Sequence, residues 1–220
     1  MKKLLKLIAT FLLLCTTTFA QQQKPFWNEI TDFKRTDSAQ APPKNAILFT
    51  GSSSFRLWKD VQQAFPKHTI INRGFGGSSL PHAIQYADEI IFPYQPKQVV
   101  VYCGENDFGA GDSITGQTVF QRFQQLFSLI RERLPKTKIT FVSMKPSPSR
   151  WHLKEKMETG NKLIKDFLKK QKKASYVDVW TPMLNDEGKP REELFVGDKL
   201  HMNEKGYAIW QEKILPHLKD

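Results

Sequence analysis

Cysteine is nearly absent from this chain: Cys15 and Cys103 are the two among 220 residues. Cys15 lies in an apolar N-terminal run, which leaves Cys103 alone in the remainder and excludes an internal disulfide there. No His-Glu-x-x-His pair occurs, His68, His82, His152 and His217 are scattered, and Cys103 has no cysteine partner, so a zinc site of ordinary spacing is excluded. No apolar run is long enough to span a membrane. No Gly-x-Ser-x-Gly elbow is present, which argues against an α/β-hydrolase. Gly74-Phe75-Gly76-Gly77 has Ser79 where a dinucleotide fingerprint needs its third glycine, and that reading is discarded. Internal repeats and low-complexity linkers are also missing. Acidic residues are few, 22 against 33 Lys and Arg, for a net charge of +11. Lys162, Lys165, Lys169 and Lys170 are spread along a helix-like segment without interleaved aromatics. The basic balance therefore reads as a solvated surface and not as nucleic-acid binding.

What the chain does have begins at its N-terminus. Lys2, Lys3 and Lys6 precede the apolar stretch Leu7 to Leu14, and Thr18-Phe19-Ala20 offers a small-residue cleavage site. The expected organisation is a signal peptide over 1–20, a polar lead-in over 21–44 that wraps the surface, and one domain over 45–220. The expected location is secreted or periplasmic. A lipid anchor on Cys15 ranks lower, because Leu14 stands where a small residue is usual. About 200 residues suffice for one full core.

Five short β-rich runs alternate with helical patterns. Ile47–Thr50, Thr69–Asn72, Gln98–Tyr102, Lys138–Val142 and Tyr176–Val179 are nearly continuous in apolar character, as strands buried on both faces of a parallel sheet are. Val119, Phe120, Phe123, Leu126, Phe127, Ile130 and Leu134 recur at three- and four-residue spacing and predict a helix over Thr118–Leu134, stopped by Pro135. Further helices are expected over Trp151–Lys173 and Asn203–Leu218. The alternation predicts a three-layer α/β/α sandwich with right-handed crossovers. Ligands in such folds bind beyond the carboxyl ends of the strands.

Four blocks fall at those ends. Gly51-Ser52-Ser53-Ser54 follows the first strand, where a sharp strand-to-helix turn would expose a serine. Gly74-Phe75-Gly76-Gly77 and Gly104-Glu105-Asn106-Asp107 follow the next two, and glycine N–H groups and an Asn amide suit a developing oxyanion. In Asp198-Lys199-Leu200-His201 the carboxylate can turn back onto the imidazole and leave the other ring nitrogen free as a base. Asp178 is a second candidate partner for His201, and adjacency favours Asp198. Lys145, Arg150 and Trp151, on a proline-rich loop after the fourth strand, are candidate substrate contacts, with packing an equal alternative for Trp151. Asp107 is expected to position neighbouring loops by hydrogen bonds.

In this order and spacing the blocks resemble those of the SGNH/GDSL hydrolases, over nearly all of the chain from Ala46 onward. The branch it looks closest to contains platelet-activating-factor acetylhydrolase catalytic subunits and bacterial acyl esterases. The resemblance implies a flavodoxin-like α/β/α fold with a five-stranded parallel sheet. It places the nucleophile at Ser53, with oxyanion donors at the Ser53 N–H, Gly77 and Asn106, and Asp198 and His201 completing the relay. The Asp of the GDS motif is Ser52 here, which leaves Ser52 and Ser54 as alternatives to Ser53. The implied activity is hydrolysis of short-acyl carboxylic esters through an acyl-enzyme, with no cofactor or metal. Acetyl groups on carbohydrate are the first expectation, from family analogy and compartment. A lipid esterase or lysophospholipase comes second, and a non-catalytic carbohydrate-binding protein third. The expected partner is a small-molecule or glycan ester; the oligomeric state is not legible.

Overall fold

The computed structural model describes residues 24–219. The leader expected over 1–20, with Cys15 and the expected cleavage site at Ala20, lies outside the described residues. Five parallel strands, β1 (Ile47–Gly51), β2 (Ile70–Gly74), β3 (Gln98–Tyr102), β4 (Lys138–Val142) and β5 (Ala174–Val177), form one sheet in the order β2-β1-β3-β4-β5. That is the flavodoxin-like order, as expected from the resemblance. The helices are α1 (Trp27–Ala39), α2 (Ser53–Arg56), α3 (Val61–Ala64), α4 (Leu80–Gln85), α5 (Ala87–Ile90), α6 (Gly116–Arg133), α7 (Lys154–Leu168) and α8 (Glu204–Ile214).

Side-chain alternation on the strands divides the core. Leu48, Val99, Val101, Ile139 and Phe141 face the layer of α1 and α4 to α7. Ile47, Phe49, Val100, Tyr102 and Val142 face α2, α3 and α8. The second layer is aromatic: Phe49, Phe55, Trp58, Phe65, Tyr102 and Trp210 pack with ring centroids 4.6–6.3 Å apart. Each fully buried side chain of this size contributes roughly 1.5–3 kcal/mol.

Three sequence expectations shift. The lead-in is not simply a surface wrap, since residues 27–39 form α1. Ile30 is fully buried, and Phe26, Trp27 and Phe33 pack against the core beside it. Their helical spacing was hidden by a polar average. The helix expected over Trp151–Lys173 opens as a 3-10 turn, Pro148–Leu153, and the α-helix ends at Leu168, because β5 begins at Ala174. That strand starts two residues before the expected Tyr176 and ends at Val177, short of Val179.

Candidate active site

Gly51 ends β1 at φ 128°, and a Cβ there would stand 1.9 Å from the Tyr102 carbonyl oxygen on β3. Only glycine can bring the chain this close and then turn it. Ser52 is extended and its N–H donates to Tyr102 O at 2.9 Å. α2 then starts at Ser53. Ser52 and Ser54 are buried, at 4% and 2% exposure, while Ser53 is half-buried. Of the three serines, it is Ser53 that meets His201, with Oγ 2.9 Å from Nε2.

The Asp198–His201 turn closes on itself. Asp198 Oδ1 accepts the Leu200 and His201 N–H groups at 2.9 Å each, and Oδ2 lies 2.6 Å from His201 Nδ1. Lys199, between them, takes φ 53°, and its carbonyl accepts the Ser149 N–H at 3.1 Å, so the loop after β4 braces the turn. Burial acts to raise the Asp198 pKa, but the His201 N–H, the ring and the Leu200 N–H outweigh it and hold the carboxyl at about 2. Asp178 is elsewhere: its two oxygens accept the Thr181 N–H and Oγ1.

Asn106 sits on a 3-10 turn that opens at Gly104, φ 131°. Its Nδ2 donates to Ser78 O at 3.0 Å, which leaves the second amide hydrogen free. Arg150 Nη2 donates to Asn106 Oδ1 at 2.7 Å and fixes which way the amide faces. A Cβ built on Gly77 would lie 3.8 Å from Asn106 Nδ2, so the two candidate donors are neighbours. Ser53 N–H is the first of α2 and has no intrahelical acceptor. Among the described residues neither it nor the Gly77 N–H donates to a protein group.

Supporting charges lie beneath. Glu105 is buried and takes Lys145 Nζ on both oxygens at 3.1 Å and Arg150 Nη1 at 3.3 Å. Lys145 also donates to Tyr102 OH at 3.1 Å and is 1% exposed. Burial pushes its ammonium pKa down, while Glu105 opposes that shift. Lys145 therefore faces the interior, which corrects the expectation that it contacts substrate; its loop bends inward to reach Glu105. Trp151 stacks on Trp180 at 6.0 Å, so packing is its observed role. Arg150 touches Asn106. Asp107 is buried, accepts the Leu80 N–H at 2.9 Å and pairs with Arg122 at 2.8 Å, which ties the third block to the start of α4 just after Gly77. Burial raises its pKa, partly offset by those two partners. The Cys103 thiol is fully buried and pushed well up by burial, so it stays protonated.

One contributor was not read from the sequence. Glu29 Oε2, on α1, accepts the Gly76 N–H at 3.0 Å. Gly76 takes φ 35°, and a Cβ there would overlap the Phe26 ring at 2.3 Å. The N-terminal helix thus holds the residue directly before Gly77. The signal was the Phe26, Trp27, Ile30, Phe33 spacing.

Solved structures share this architecture. A protein from Streptococcus pneumoniae described as a platelet activating factor matches with TM-score 0.77 and 19% identity, over 88% of this chain and 92% of that one. A GDSL-like lipase from Bacteroides thetaiotaomicron matches with TM-score 0.71 and 21% identity, over 86% and 96%. A variant of an acetyl-xylooligosaccharide esterase from Geobacillus matches with TM-score 0.62 and 12% identity, over 79% and 94%. No curated protein matches the chain. The model of the GDSL-like lipase/acylhydrolase family matches residues 37–209, spanning every block of the site. The chain belongs to that family and is an ester-hydrolysing enzyme.

Proposed function

We propose that this enzyme is a serine esterase that removes short acyl groups, acetyl above all, from carbohydrate outside the cytoplasm. The reading rests most heavily on the continuous chain Ser53 Oγ, His201 Nε2, His201 Nδ1, Asp198 Oδ2, with spacings of 2.9 and 2.6 Å. Ser53 Oγ attacks the ester carbonyl and passes its proton to His201 Nε2, which then protonates the leaving alcohol. Asp198 holds the ring by Nδ1 and steadies the imidazolium. The Ser53 and Gly77 N–H groups and the free Asn106 amide hydrogen meet the oxyanion. Water enters by the same base and releases the acid. The first 20 residues act as a cleaved leader, and the domain begins near residue 45 with α1 as its brace.

For a hydroxyl-rich substrate, support comes from an open groove of about 590 Å³ lined by Leu57, Lys59, Asp60, Met202, Asn203 and Tyr207 among others, which reaches the site through Leu57, whose N–H donates to Ser53 O, and through Met202, the residue after His201. Six of its eight lining residues carry hydrogen-bonding groups, and Leu57 and Met202 give it apolar surface as well. The Geobacillus neighbour, an acetyl-xylooligosaccharide esterase by description, agrees with it. Lipid esters are the second reading, favoured by Leu57 and Val196, which are 37% and 45% exposed next to Ser53 and His201. A series of p-nitrophenyl esters of rising chain length, run beside acetylated xylan, separates the two. Preference for acetate and release of acetate from the glycan are expected; a maximum at long acyl chains would favour the lipid reading. A phosphonate ester probe should label Ser53, and Ser53→Ala should lower kcat by at least about 10³-fold. Label on Ser52 or Ser54 would move the nucleophile.

A further inference from the structure

We propose that the edge of the sheet opposite the active site is a docking face for an anionic membrane surface. The lysines look scattered in the sequence, but the fold gathers nine of them. All five strands run parallel and so begin on one edge. In sheet order, Lys67 precedes β2, Lys44 β1 and Lys97 β3, Lys136 and Lys138 open β4, and Lys172 and Lys173 precede β5. Lys170 lies in the turn before β5, and Lys219 follows the last helix with its N–H on Gln98 Oε1 at 2.7 Å. The row is continuous through the backbone: Lys97 N–H donates to Ala46 O, Lys138 N–H to Lys97 O, and Ile139 N–H to Lys173 O, at 2.9–3.1 Å.

Seven of the nine are exposed, Lys97 and Lys138 being half-buried. Among the described residues none of the nine enters an ion pair. Nearby acids are engaged elsewhere, Asp166 with Lys162 and Lys169 and Asp88 with Arg133, while Glu132 is an exposed acid near the rim. Arg131 fastens the platform from within, with Nη1 on Pro135 O and Thr137 O and Nη2 on Lys172 O and Lys173 O.

An apolar group marks the partner. Leu215 is 49% exposed, the most exposed large hydrophobic side chain among the described residues. It belongs to the 3-10 turn Leu215–His217, whose His217 carbonyl receives Lys138 Nζ at 2.9 Å. A leucine among unpaired lysines suits a headgroup layer, which attracts compact cations and admits a short apolar side chain. Lysine, unlike arginine, gives point charges without a fork for individual phosphates. Five-residue strands rising about 3.3 Å per residue hold the catalytic edge roughly 17 Å from the lipid and facing away from it. An enzyme held this way would act on esters beyond the membrane and not on the lipids beneath it.

The test is sedimentation of the full chain with vesicles of phosphatidylcholine alone and of phosphatidylcholine mixed with phosphatidylglycerol. The N-terminal segment, with Lys2, Lys3 and Lys6, is shared by the parent and every variant, so comparison among them cancels its contribution. The chain should bind the mixed vesicles more tightly, and salt should abolish the excess. Each lysine near an anionic leaflet adds roughly fivefold in affinity. Changing Lys44, Lys97, Lys136, Lys172, Lys173 and Lys219 to Gln should therefore lower the excess by at least about a hundredfold. Hydrolysis of p-nitrophenyl acetate in solution should be unchanged. Changing Lys24, Lys34, Lys154, Lys156, Lys162 and Lys189 to Gln removes equal charge elsewhere and should leave most of the excess. Leu215→Ser should weaken binding several-fold. Equal affinity for the two vesicle types, or equal loss in the two six-site variants, would overturn the proposal. So would binding to a soluble anionic polysaccharide that matches vesicle binding and ignores Leu215→Ser.

Discussion

The two edges of the same sheet handle charge in opposite ways. At the carboxyl edge charge is held in place: Lys145 and Arg150 meet Glu105, Arg122 meets Asp107, and Asp198 is held by the Leu200 and His201 N–H groups and the His201 ring. At the amino edge nine lysines have no acidic partner among the described residues. A reaction centre needs donors held at fixed distances, and an uncompensated buried charge would cost too much to keep there. The amino edge faces water, where unpaired ammonium groups cost little and their field reaches outward over about 10 Å at 0.1 M salt. The same strands therefore carry a rigid, locally neutral chemistry at one end and a free positive potential at the other.

The sharpest way to break this contrast is to replace one lysine on each edge with the same residue. Lys145→Met leaves Glu105 buried without its nearest cation and should destabilise the fold by about 3–5 kcal/mol in denaturant melts. Lys172→Met, on the amino edge, should change stability by less than about 0.5 kcal/mol. Comparable losses at both positions would mean that the two edges do not differ in how they hold charge.

The second test reads catalysis. Asn106→Ala should lower kcat by about 10²–10³-fold with little change in KM, because the bond strengthens only as the oxyanion forms. Arg150 acts one step back, through the Asn106 Oδ1 that it holds at 2.7 Å. Arg150→Met should lower kcat by a smaller factor, again with KM nearly constant. The double variant should be little worse than Asn106→Ala alone, since the two act as a unit. Full additivity would give Arg150 a separate role, such as binding the substrate directly.

How much of this was legible beforehand follows the same division. The carboxyl edge is built from short blocks, each contiguous in sequence and each just after an apolar run, so Ser53, Gly77, Asn106, Asp198 and His201 could be picked out and assigned to one edge. The strands β1, β3 and β4 were legible for the same reason, as four or five successive buried residues, while β5, half-buried over three of its four residues, was placed two residues late. What escaped is distributed. Lys44 and Lys219 are neighbours on one edge only after the chain has crossed the sheet, and their one-dimensional spacing has no period. Lys145 looked like a surface residue because its partner, Glu105, is 40 positions away in sequence. α1 was missed because four apolar positions carry its contact with the core while the rest of it is polar.

Glu29 on α1 offers a smaller effect that ties the N-terminal segment to the chemistry. It lies before the residues matched by the family model, yet it holds the Gly76 N–H at 3.0 Å. Glu29→Ala should loosen Gly76 and its neighbour Gly77. A fall of about tenfold in kcat is expected, roughly 1.4 kcal/mol, with KM and the thermal midpoint little changed. Glu29→Gln keeps an acceptor oxygen and should restore most of the rate. A fall in kcat accompanied by an equal loss of stability, unrescued by Gln, would make α1 a structural strap only.

The smallest effect expected is on the pH dependence of stability at Asp198. Its folded pKa is held at about 2, below the ordinary 3.8, by the Leu200 and His201 N–H groups and by the ring. A depressed carboxylate pKa means that the unfolded chain binds the proton first as pH falls. The contribution is therefore whole above about pH 4 and is lost as pH falls from 4 toward 2. The Asp198 side chain is 47% exposed, so solvent limits the gain to less than about 1 kcal/mol. Asp198→Asn keeps one oxygen that can accept an N–H but cannot titrate. Melts taken from pH 7 to pH 2 should show the variant losing less stability than the parent across that window, with the difference confined below pH 4. Parallel curves through that range would show that the turn is held without the carboxylate charge, and that Asp198 serves His201 through hydrogen bonding alone.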